Sequence, residues 1–211
     1  MITIAESKKI WLNDYNEKYR TINGVDGQLE LAKDFLQKRT RIYQGNGTPE
    51  SSTLLDVGCG VGIWALALAQ WHDVTGVDNS EVAIEQARSI SKYYSHRKTL
   101  NFICDDVKNI NRTFDILFCR CPEFFSGYPV ESEVFQNYLA ATIPMAKKKF
   151  VLILHSNPPF DRYISTNPNQ ERTSYMHDPE KIHFELLKYG DTTTIYQEDN
   201  KIVSELLIGG N

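Results

Sequence analysis

Short apolar runs alternate with amphipathic stretches along most of the chain after residue 52. Continuous apolar runs of four to six residues are typical of buried strands, and apolar residues three and four positions apart are typical of helices. On this basis the sequence predicts strands at Leu54–Val57, Val74–Val77, Thr99–Cys104, Phe114–Phe118 and Phe150–His155, with helices at Ile63–Trp71, Ser80–Tyr94 and 131–143. Such an alternation predicts a parallel sheet that is covered by helices on both faces.

The C-terminal part has a different pattern. Asp178 followed by Pro179 predicts the start of a helix that runs to about Tyr189 and is stopped by Gly190. Two strand-like segments, 192–197 and 201–208, then flank a turn, which predicts an antiparallel hairpin. The predicted fold class is therefore α/β, with a doubly wound, mostly parallel seven-stranded sheet that ends in a C-terminal antiparallel hairpin.

The first 50 residues are set apart from the alternating pattern. Helical spacing predicts helices at 7–20 and 25–44, with a break between them at Asn23-Gly24. Turn-forming residues at 44–52 separate these helices from the first strand. We therefore expect an N-terminal helical region, 1–50, and one compact core, 51–211.

Three glycines, Gly58, Gly60 and Gly62, lie in the turn after the first strand. The dinucleotide fingerprint would need a glycine at Ile63, and the Lys-Ser/Thr pair of a phosphate-binding loop is also missing. Asp78, at the end of the second strand, comes 20 residues after Gly58, where a carboxylate can accept both hydroxyls of a ribose. The pattern predicts a nucleoside site, and the alternative is a tight turn beside a solvated carboxylate.

Composition limits the range of partners. The 211 residues carry a formal net charge of −4, which disfavours a nucleic-acid footprint. No apolar stretch has the length of a signal peptide core or a membrane span, and the four cysteines lie in or beside apolar runs. We expect a cytoplasmic monomer or homodimer with reduced thiols and no membrane partner. Cys119 and Cys121 supply only two of the four ligands typical of zinc, so no metal is expected.

From residue 51 to the C-terminus the chain resembles the class I S-adenosylmethionine-dependent methyltransferases, which have a Rossmann-like fold. LDVGCGVG resembles the first motif of the family, VTGVDNS resembles the second, and ICDDV resembles the acidic third motif. The predicted C-terminal hairpin also matches the end of the family fold. The resemblance implies S-adenosylmethionine as the cofactor.

The resemblance also implies which residues hold that cofactor. The backbone of Gly58 and Gly60 would approach its methionine part, Asp78 would bind the ribose, and Asp106 with the amide of Val107 would contact the adenine. Asp105 is an alternative to Asp106. The expected cofactor-binding residues are Tyr19, Asp56, Gly58, Cys59, Gly60, Asp78, Asn79, Asp106, Val107 and Arg120.

Two departures from the family bear on the acceptor. Adenine- and glutamine-modifying members have Asn/Asp-Pro-Pro-aromatic after the fourth strand, whereas this chain has CRCPEFF. Lys147–Lys149 occupies the place of a frequent Gly-Gly turn. The first departure argues against nucleobase amines and protein glutamine as acceptors, and we expect methyl transfer to an N or O atom of a small molecule. Arg120 lies in this segment, and its alternative role is a surface ion pair.

Methyl transfer from a sulfonium mainly requires alignment and exclusion of water, and a base is useful only when the acceptor arrives protonated. Glu123 and His155 are the candidate catalytic residues, against the alternatives of a solvated loop acid and an edge histidine. Trp11, Tyr15 and Tyr19 suggest that the N-terminal helices form a lid. One competing function is a non-catalytic S-adenosylmethionine-binding regulatory subunit. The other is a nicotinamide-dependent oxidoreductase, and Ile63 argues against it because the dinucleotide fingerprint needs a glycine there.

Overall fold

The structure is a computed structural model that describes residues 22–38, 52–167, 172–190, 192–198 and 200–209. The helix expected at 7–20, with Trp11, Tyr15 and Tyr19, lies outside the described residues. The chain divides into two compact units, Met1–Asp106 and Val107–Asn211.

The first unit is built on three parallel strands in the order β3-β2-β1. Its elements are α1 (Ile22–Lys38), β1 (Thr53–Val57), α2 (Ile63–Leu68), β2 (Asp73–Asp78), α3 (Glu81–Ser91) and β3 (Leu100–Cys104). Because all three strands run the same way, β1, β2 and β3 present their carboxyl ends at one edge. Each strand expected in this unit is confirmed to within two residues.

Helix α1 packs its apolar face in the core of the first unit. Val25, Leu29, Ala32 and Leu36 are buried, and their spacing of four, three and four places them on one stripe. The predicted break at Asn23-Gly24 is wrong, because α1 begins before it at Ile22 and continues through it. A helical glycine costs only about 1 kcal/mol relative to alanine, and tertiary packing of the apolar stripe offsets that cost.

The second unit combines parallel and antiparallel strands. Its elements are β4 (Phe114–Arg120), α4 (Glu123–Ser126), α5 (Glu133–Thr142), β5 (Ala146–His155), β6 (Arg162–Asn167), β7 (Arg172–Met176), α6 (Pro179–Leu186), β8 (Thr192–Glu198) and β9 (Lys201–Leu207). Strand β4 is parallel to β5, β9 is antiparallel to β5, and β8 is antiparallel to β9. The α/β class and the antiparallel C-terminal hairpin are therefore confirmed.

Strands β6 and β7 form a separate antiparallel pair that the sequence pattern did not predict. Their residues, RYISTN and RTSYM, lack the continuous apolar run that marks the other strands. Pairing here depends on register with a partner strand, which periodicity along one segment does not reveal.

The three lysines at 147–149 belong to strand β5 rather than to a turn. Lys148 Nζ lies 3.1 Å from Asp115 Oδ1, and Lys149 Nζ lies 3.3 Å from Glu205 Oε2. The second pair is buried, with side chains only 7% and 9% exposed. A carboxylate partner on the neighbouring strand therefore allows a lysine at a buried strand position.

Candidate functional site

The glycine turn of the first unit is folded against the end of β2. The backbone N–H groups of Gly58 and Cys59 both donate to Val77 O, at 2.9 and 3.1 Å. Gly58, Gly60 and Gly62 have φ values of 70°, 54° and 78°, in the region that favours glycine. The turn therefore requires its glycines for backbone conformation.

The carboxylate of Asp78 joins the glycine turn to the start of α3. Its Oδ2 accepts a hydrogen bond from Gly60 N, and its Oδ1 accepts one from Ser80 N, both at 2.9 Å. Ser80 is also the N-cap of α3, since its hydroxyl accepts from Ala83 N at 3.3 Å. One side chain at the end of β2 thus fixes the turn after β1 and the entry to the next helix.

Gly62 has a second reason to be glycine. A Cβ at this position would lie 2.7 Å from the Phe102 ring and 2.9 Å from Ala87 Cβ. Gly62 is also the N-cap of α2, with Leu66 N donating to its carbonyl at 2.9 Å. The glycine that close packing requires in this turn is therefore Gly62. The next residue, Ile63, is a buried residue of α2.

Three other expected residues surround the turn. Asp56 lies in β1 and is only 2% exposed, whereas Asn79 follows β2 and is exposed. Cys59 is buried, and burial, together with the negative charges of Asp56 and Asp78, raises its pKa well above the ordinary value. Its thiol is therefore neutral at physiological pH and has little reactivity.

The two adjacent acids after β3 have different surroundings. Asp105 N donates to Asp78 O at 3.0 Å, and the exposed carboxylate of Asp105 accepts from Asp106 N at 2.7 Å. Asp106 is half-buried. Val107, which is 4% exposed, opens a short 3-10 turn at the start of the second unit.

The second unit places its candidate residues at the carboxyl ends of β4 and β5. Arg120 is the last residue of β4, and His155 is the last residue of β5. Glu123 is exposed and is the first residue of α4, so it lies on a helix rather than on the expected loop. Tyr19 lies outside the described residues.

Lys201 and Cys121 are neighbours of His155 that sequence reasoning missed. Lys201 Nζ donates to His155 Nδ1 at 3.0 Å and lies 3.8 Å from Cys121 Sγ. His155 and Lys201 are directly opposite each other in the pairing of β5 with β9. The hairpin was predicted, but its register against β5 is a tertiary property that the sequence does not state.

His177 is a buried packing residue. Its Nε2–H donates to Phe125 O at 3.0 Å, and its ring packs against Phe135 and Tyr175. Burial lowers the pKa of His177 to about 4. The cap of α6 is the next residue, Asp178, whose carboxylate accepts from Glu180 N at 2.9 Å.

The Asn-Pro-Pro-aromatic letters do occur in this chain, at Asn157–Phe160. They follow β5, whereas β4 is followed by Cys-Pro-Glu-Phe. The segment therefore stands at a different strand end from the family signature.

The four cysteines are free thiols. Within the ranges that the structure describes, no three or more His, Cys, Asp and Glu side chains gather in a way that could hold a metal ion. In the same ranges, no helix has both the length and the apolar character needed to cross a bilayer.

Comparison with known proteins identifies a domain within the chain. Residues 54–144 match the model of a family described as a methyltransferase domain. This segment contains the glycine turn, Asp78 and the acids after β3. No curated protein matches the chain.

Several solved structures share the fold. Magnesium protoporphyrin IX methyltransferase from Synechocystis PCC 6803, with bound S-adenosylmethionine, is 18% identical, with a TM-score of 0.65 over 96% of this chain and 97% of that chain. The 1,6-didemethyltoxoflavin-N1-methyltransferase of Burkholderia thailandensis is 16% identical, with a TM-score of 0.60 over 99% of this chain and 91% of that chain. The glycopeptide N-methyltransferase MtfA, with bound S-adenosylhomocysteine, is 13% identical, with a TM-score of 0.65 over 87% and 90%.

The similarity in fold extends over nearly the whole chain. The matched domain contains the glycine turn and Asp78. Residues 54–144 therefore match a methyltransferase domain, and the chain shares its fold with S-adenosylmethionine-dependent methyltransferases of known structure.

Proposed function

We propose that this protein transfers a methyl group from S-adenosylmethionine to an N or O atom of a small-molecule acceptor by in-line displacement. The methyltransferase domain supports an enzyme, and relatives with bound S-adenosylmethionine or S-adenosylhomocysteine support the cofactor. Solved structures of the same fold that are named as methyltransferases of magnesium protoporphyrin IX and 1,6-didemethyltoxoflavin support a small-molecule acceptor.

The observation that carries the proposal is the pair of hydrogen bonds from Gly60 and Ser80 to Asp78. They hold a carboxylate at the carboxyl edge of a parallel sheet, which is where ligands bind in open α/β folds. A carboxylate can accept about four hydrogen bonds, so two accepted amides are compatible with two ribose hydroxyls. The residues present therefore fit a nucleoside.

We assign the cofactor contacts as the family resemblance implies. Gly58, Cys59 and Gly60 would line the methionine part with backbone, and Asp56 would lie beneath the turn. Asp106 would contact the adenine, with Asp105 as the alternative. The remaining proposed contacts, which rest on the resemblance alone, are Tyr19, Asn79, Val107 and Arg120.

When bound, S-adenosylmethionine supplies a methyl group on a positively charged sulfur whose departure leaves a neutral thioether. The protein needs only to align the acceptor, exclude water and remove a proton where the acceptor carries one. Glu123 and His155 are the proposed groups for that proton. His155 acts within a cluster, since its Nδ1 accepts a hydrogen bond from Lys201.

Other expectations stay predictions of the account. They are the seven-stranded doubly wound sheet, the division into a lid at 1–50 and a core at 51–211, the cytoplasmic location, the absence of nucleic-acid partners and the monomeric or homodimeric state. Of the lid, only α1 is described, and its apolar face is buried in the first unit.

The proposed function is tested by an acceptor screen that detects release of S-adenosylhomocysteine from a library of amines, phenols, carboxylates and thiols. We expect S-adenosylmethionine to bind in a titration in which NADH does not, and at least one N or O acceptor to support turnover. Binding without turnover on any acceptor would favour the regulatory subunit instead. Binding of NADH alone would refute methyl transfer.

The role of Glu123 has a matched control in Glu133. Both residues are exposed and open a helix. With an acceptor that must lose a proton, Glu123→Gln should lower kcat and remove a limb of its pH profile, whereas Glu133→Gln should keep both. Equal kcat values in the two variants would exclude Glu123 as the base.

A further inference from the structure

Three side chains of different chemistry meet at one end of the second unit. Cys121 follows β4, His155 ends β5, and Lys201 begins β9. Lys201 Nζ lies 3.0 Å from His155 Nδ1 and 3.8 Å from Cys121 Sγ, and all three residues are partly exposed. The cluster therefore brings a thiol, an imidazole and an amine together on three partly exposed residues.

The backbone holds Cys121 in an unusual conformation. Its φ is 47°, in the left-handed region that residues other than glycine rarely adopt. Its N–H donates to Ile153 O at 2.8 Å, which fixes the residue to β5. Across the cluster, Ser156 N donates to Asn200 O at 2.9 Å and ties the end of β5 to the start of β9. Strained positions of this kind are concentrated at functional sites.

Three basic side chains act on Cys121. They are Arg120 on β4, His155 on β5 and Lys201 on β9. Burial acts to raise the pKa of the thiol, but the hydrogen bond with His155 and the charges of Lys201 and Arg120 outweigh it and lower the pKa to about 6. Burial lowers the pKa of Lys201, and the Cys121 sulfur opposes that shift.

We propose that Cys121, His155 and Lys201 form a thiolate site that reacts with hydroperoxides. The thiolate sulfur attacks the terminal oxygen of the peroxide, the S–O bond forms, and the O–O bond breaks. Sulfur is oxidised by two electrons to a sulfenic acid, and the peroxide is reduced to an alcohol once the departing alkoxide takes a proton from Lys201 or water. The reaction uses residues of the second unit alone and does not depend on methyl transfer.

Cys104 is an internal control for exposure. It is exposed at the end of β3, whereas Cys121 is only partly exposed. Local burial and the negative charges of Glu81 and Asp78 raise the pKa of Cys104. If exposure governed reactivity, Cys104 would react first, and if the charged cluster governs it, Cys121 reacts first.

The first measurement is alkylation of both cysteines by iodoacetamide at pH 6, followed by mass spectrometry of the two peptides. Because the pKa of Cys121 is about 6 and that of an ordinary thiol is 9.0, the thiolate fraction of Cys121 at pH 6 is several hundredfold larger. The lower basicity of this thiolate reduces its nucleophilicity by about 20-fold. We therefore expect Cys121 to be labelled about 20-fold faster than an ordinary thiol. Equal rates, or faster labelling of Cys104, would overturn the thiolate site.

The second measurement uses tert-butyl hydroperoxide with dimedone as a sulfenic acid trap. We expect the adduct on Cys121, none on that peptide in Cys121→Ser, and less than a tenth as much on Cys104. A thiol that alkylates rapidly but forms no dimedone adduct would overturn the hydroperoxide reaction while leaving the thiolate itself intact.

Lys201 is tested by a pair of variants. Lys201→Met removes the charge at similar length and should shift the pH midpoint of Cys121 labelling upward, because the charge of Lys201 lowers the pKa of the thiol, whereas Lys201→Arg should not shift it. Unchanged labelling in a folded Lys201→Met protein would overturn the proposed part of Lys201 in activating the sulfur. If Lys201→Met fails to fold, the labelling rates of Cys121 and Cys104 in the wild-type protein still test the thiolate site.

Discussion

The carboxylate of Asp78 accepts a hydrogen bond from the backbone N–H of Gly60 at 2.9 Å, across 18 residues of sequence. The bond connects the turn after β1 with the end of β2, so the glycine motif and the Asp78 motif form one local structure. Because the other carboxylate oxygen holds Ser80 N, the side chain is positioned before any ligand arrives. Positioning in advance reduces the ordering cost of binding.

The packing at Gly62 predicts a loss of stability for Gly62→Ala. The new Cβ would meet the Phe102 ring at 2.7 Å, and alanine is disfavoured at a φ of 78°. We expect a destabilisation of about 2–4 kcal/mol from backbone strain and overpacking together. Urea unfolding measures it.

Gly27→Ala is the matched control, since a Cβ at Gly27 in α1 would have no neighbour within 4 Å. It should stabilise the protein by about 0.5–1 kcal/mol through helix propensity. A Gly62→Ala protein as stable as Gly27→Ala would contradict the packing of the turn.

The Lys149–Glu205 pair predicts a large cost for removing one partner. Glu205→Leu would leave the Lys149 ammonium buried without this carboxylate, and we expect a loss of about 3–5 kcal/mol. The double variant Lys149→Met/Glu205→Leu should recover most of the loss. Chemical denaturation of the three proteins measures both effects.

The more exposed pair of Lys148 and Asp115 provides the comparison, with side chains 44% and 21% exposed. Asp115→Asn should cost less than about 1 kcal/mol. Similar losses for Glu205→Leu and Asp115→Asn would mean that burial does not control the strength of these pairs.

His177 predicts a specific acid sensitivity. Its folded pKa, about 4, is below the ordinary value of 6.5, so the unfolded chain binds more protons between these pH values. Stability is therefore fully present above pH 6.5 and falls as the pH decreases towards 4, by about 3 kcal/mol in total at 1.36 kcal/mol per pH unit. Denaturation curves across this range measure the slope.

His177→Gln keeps a donor for Phe125 O but removes the titration. Its stability should vary less than that of the wild-type protein between pH 6.5 and 4. The difference between the two proteins should be constant above pH 7. Parallel curves through the acid range would assign the sensitivity to other groups.

The lid proposal concerns the N-terminal segment. If residues 1–20 close over the acceptor, deleting them should leave a folded protein that has lost most turnover, and amide exchange in residues 8–20 should slow when S-adenosylhomocysteine binds. Aggregation of the truncated protein together with unchanged exchange at saturating ligand would indicate that the segment only covers an apolar face.

Much of the fold could be predicted because the buried strands are continuous apolar runs. β5 contains the continuous apolar run 150–154, β1 and β2 are buried over most of their length, and the Ser80 and Asp178 caps mark the starts of α3 and α6. Apart from the C-terminal hairpin, which its turn residues mark, contacts that depend on cross-strand register could not be predicted. The β6–β7 sheet and the burial of Lys149 against Glu205 both depend on cross-strand register, which leaves no signal in either segment alone.

The candidate site divides in the same way. The strand ends that carry the glycine turn and Asp78 could be predicted, because both motifs lie next to their own strands, and their contact with the cofactor stays a prediction. Lys201 escaped prediction, since it reaches His155 only through the pairing of β5 with β9. Cys121 was visible in the sequence, but its activation comes from charges that tertiary structure supplies.

The most direct test of the central claim, that Asp78 binds the ribose of the cofactor, combines a variant with a modified ligand. Calorimetry should compare S-adenosylhomocysteine with its 2′-deoxy analogue on the wild-type protein, Asp78→Ala and Asp73→Ala. Asp73 begins the strand that Asp78 ends, so it controls for loss of a carboxylate from β2. The cycle separates the ribose contact from any loosening of the turn.

We predict that the wild-type protein and Asp73→Ala prefer the ribose ligand by about 1–3 kcal/mol, the cost of leaving a hydrogen-bonding group without its partner, and that Asp78→Ala shows no preference. A preference that survives unchanged in a folded Asp78→Ala protein would place the ribose elsewhere and contradict the account.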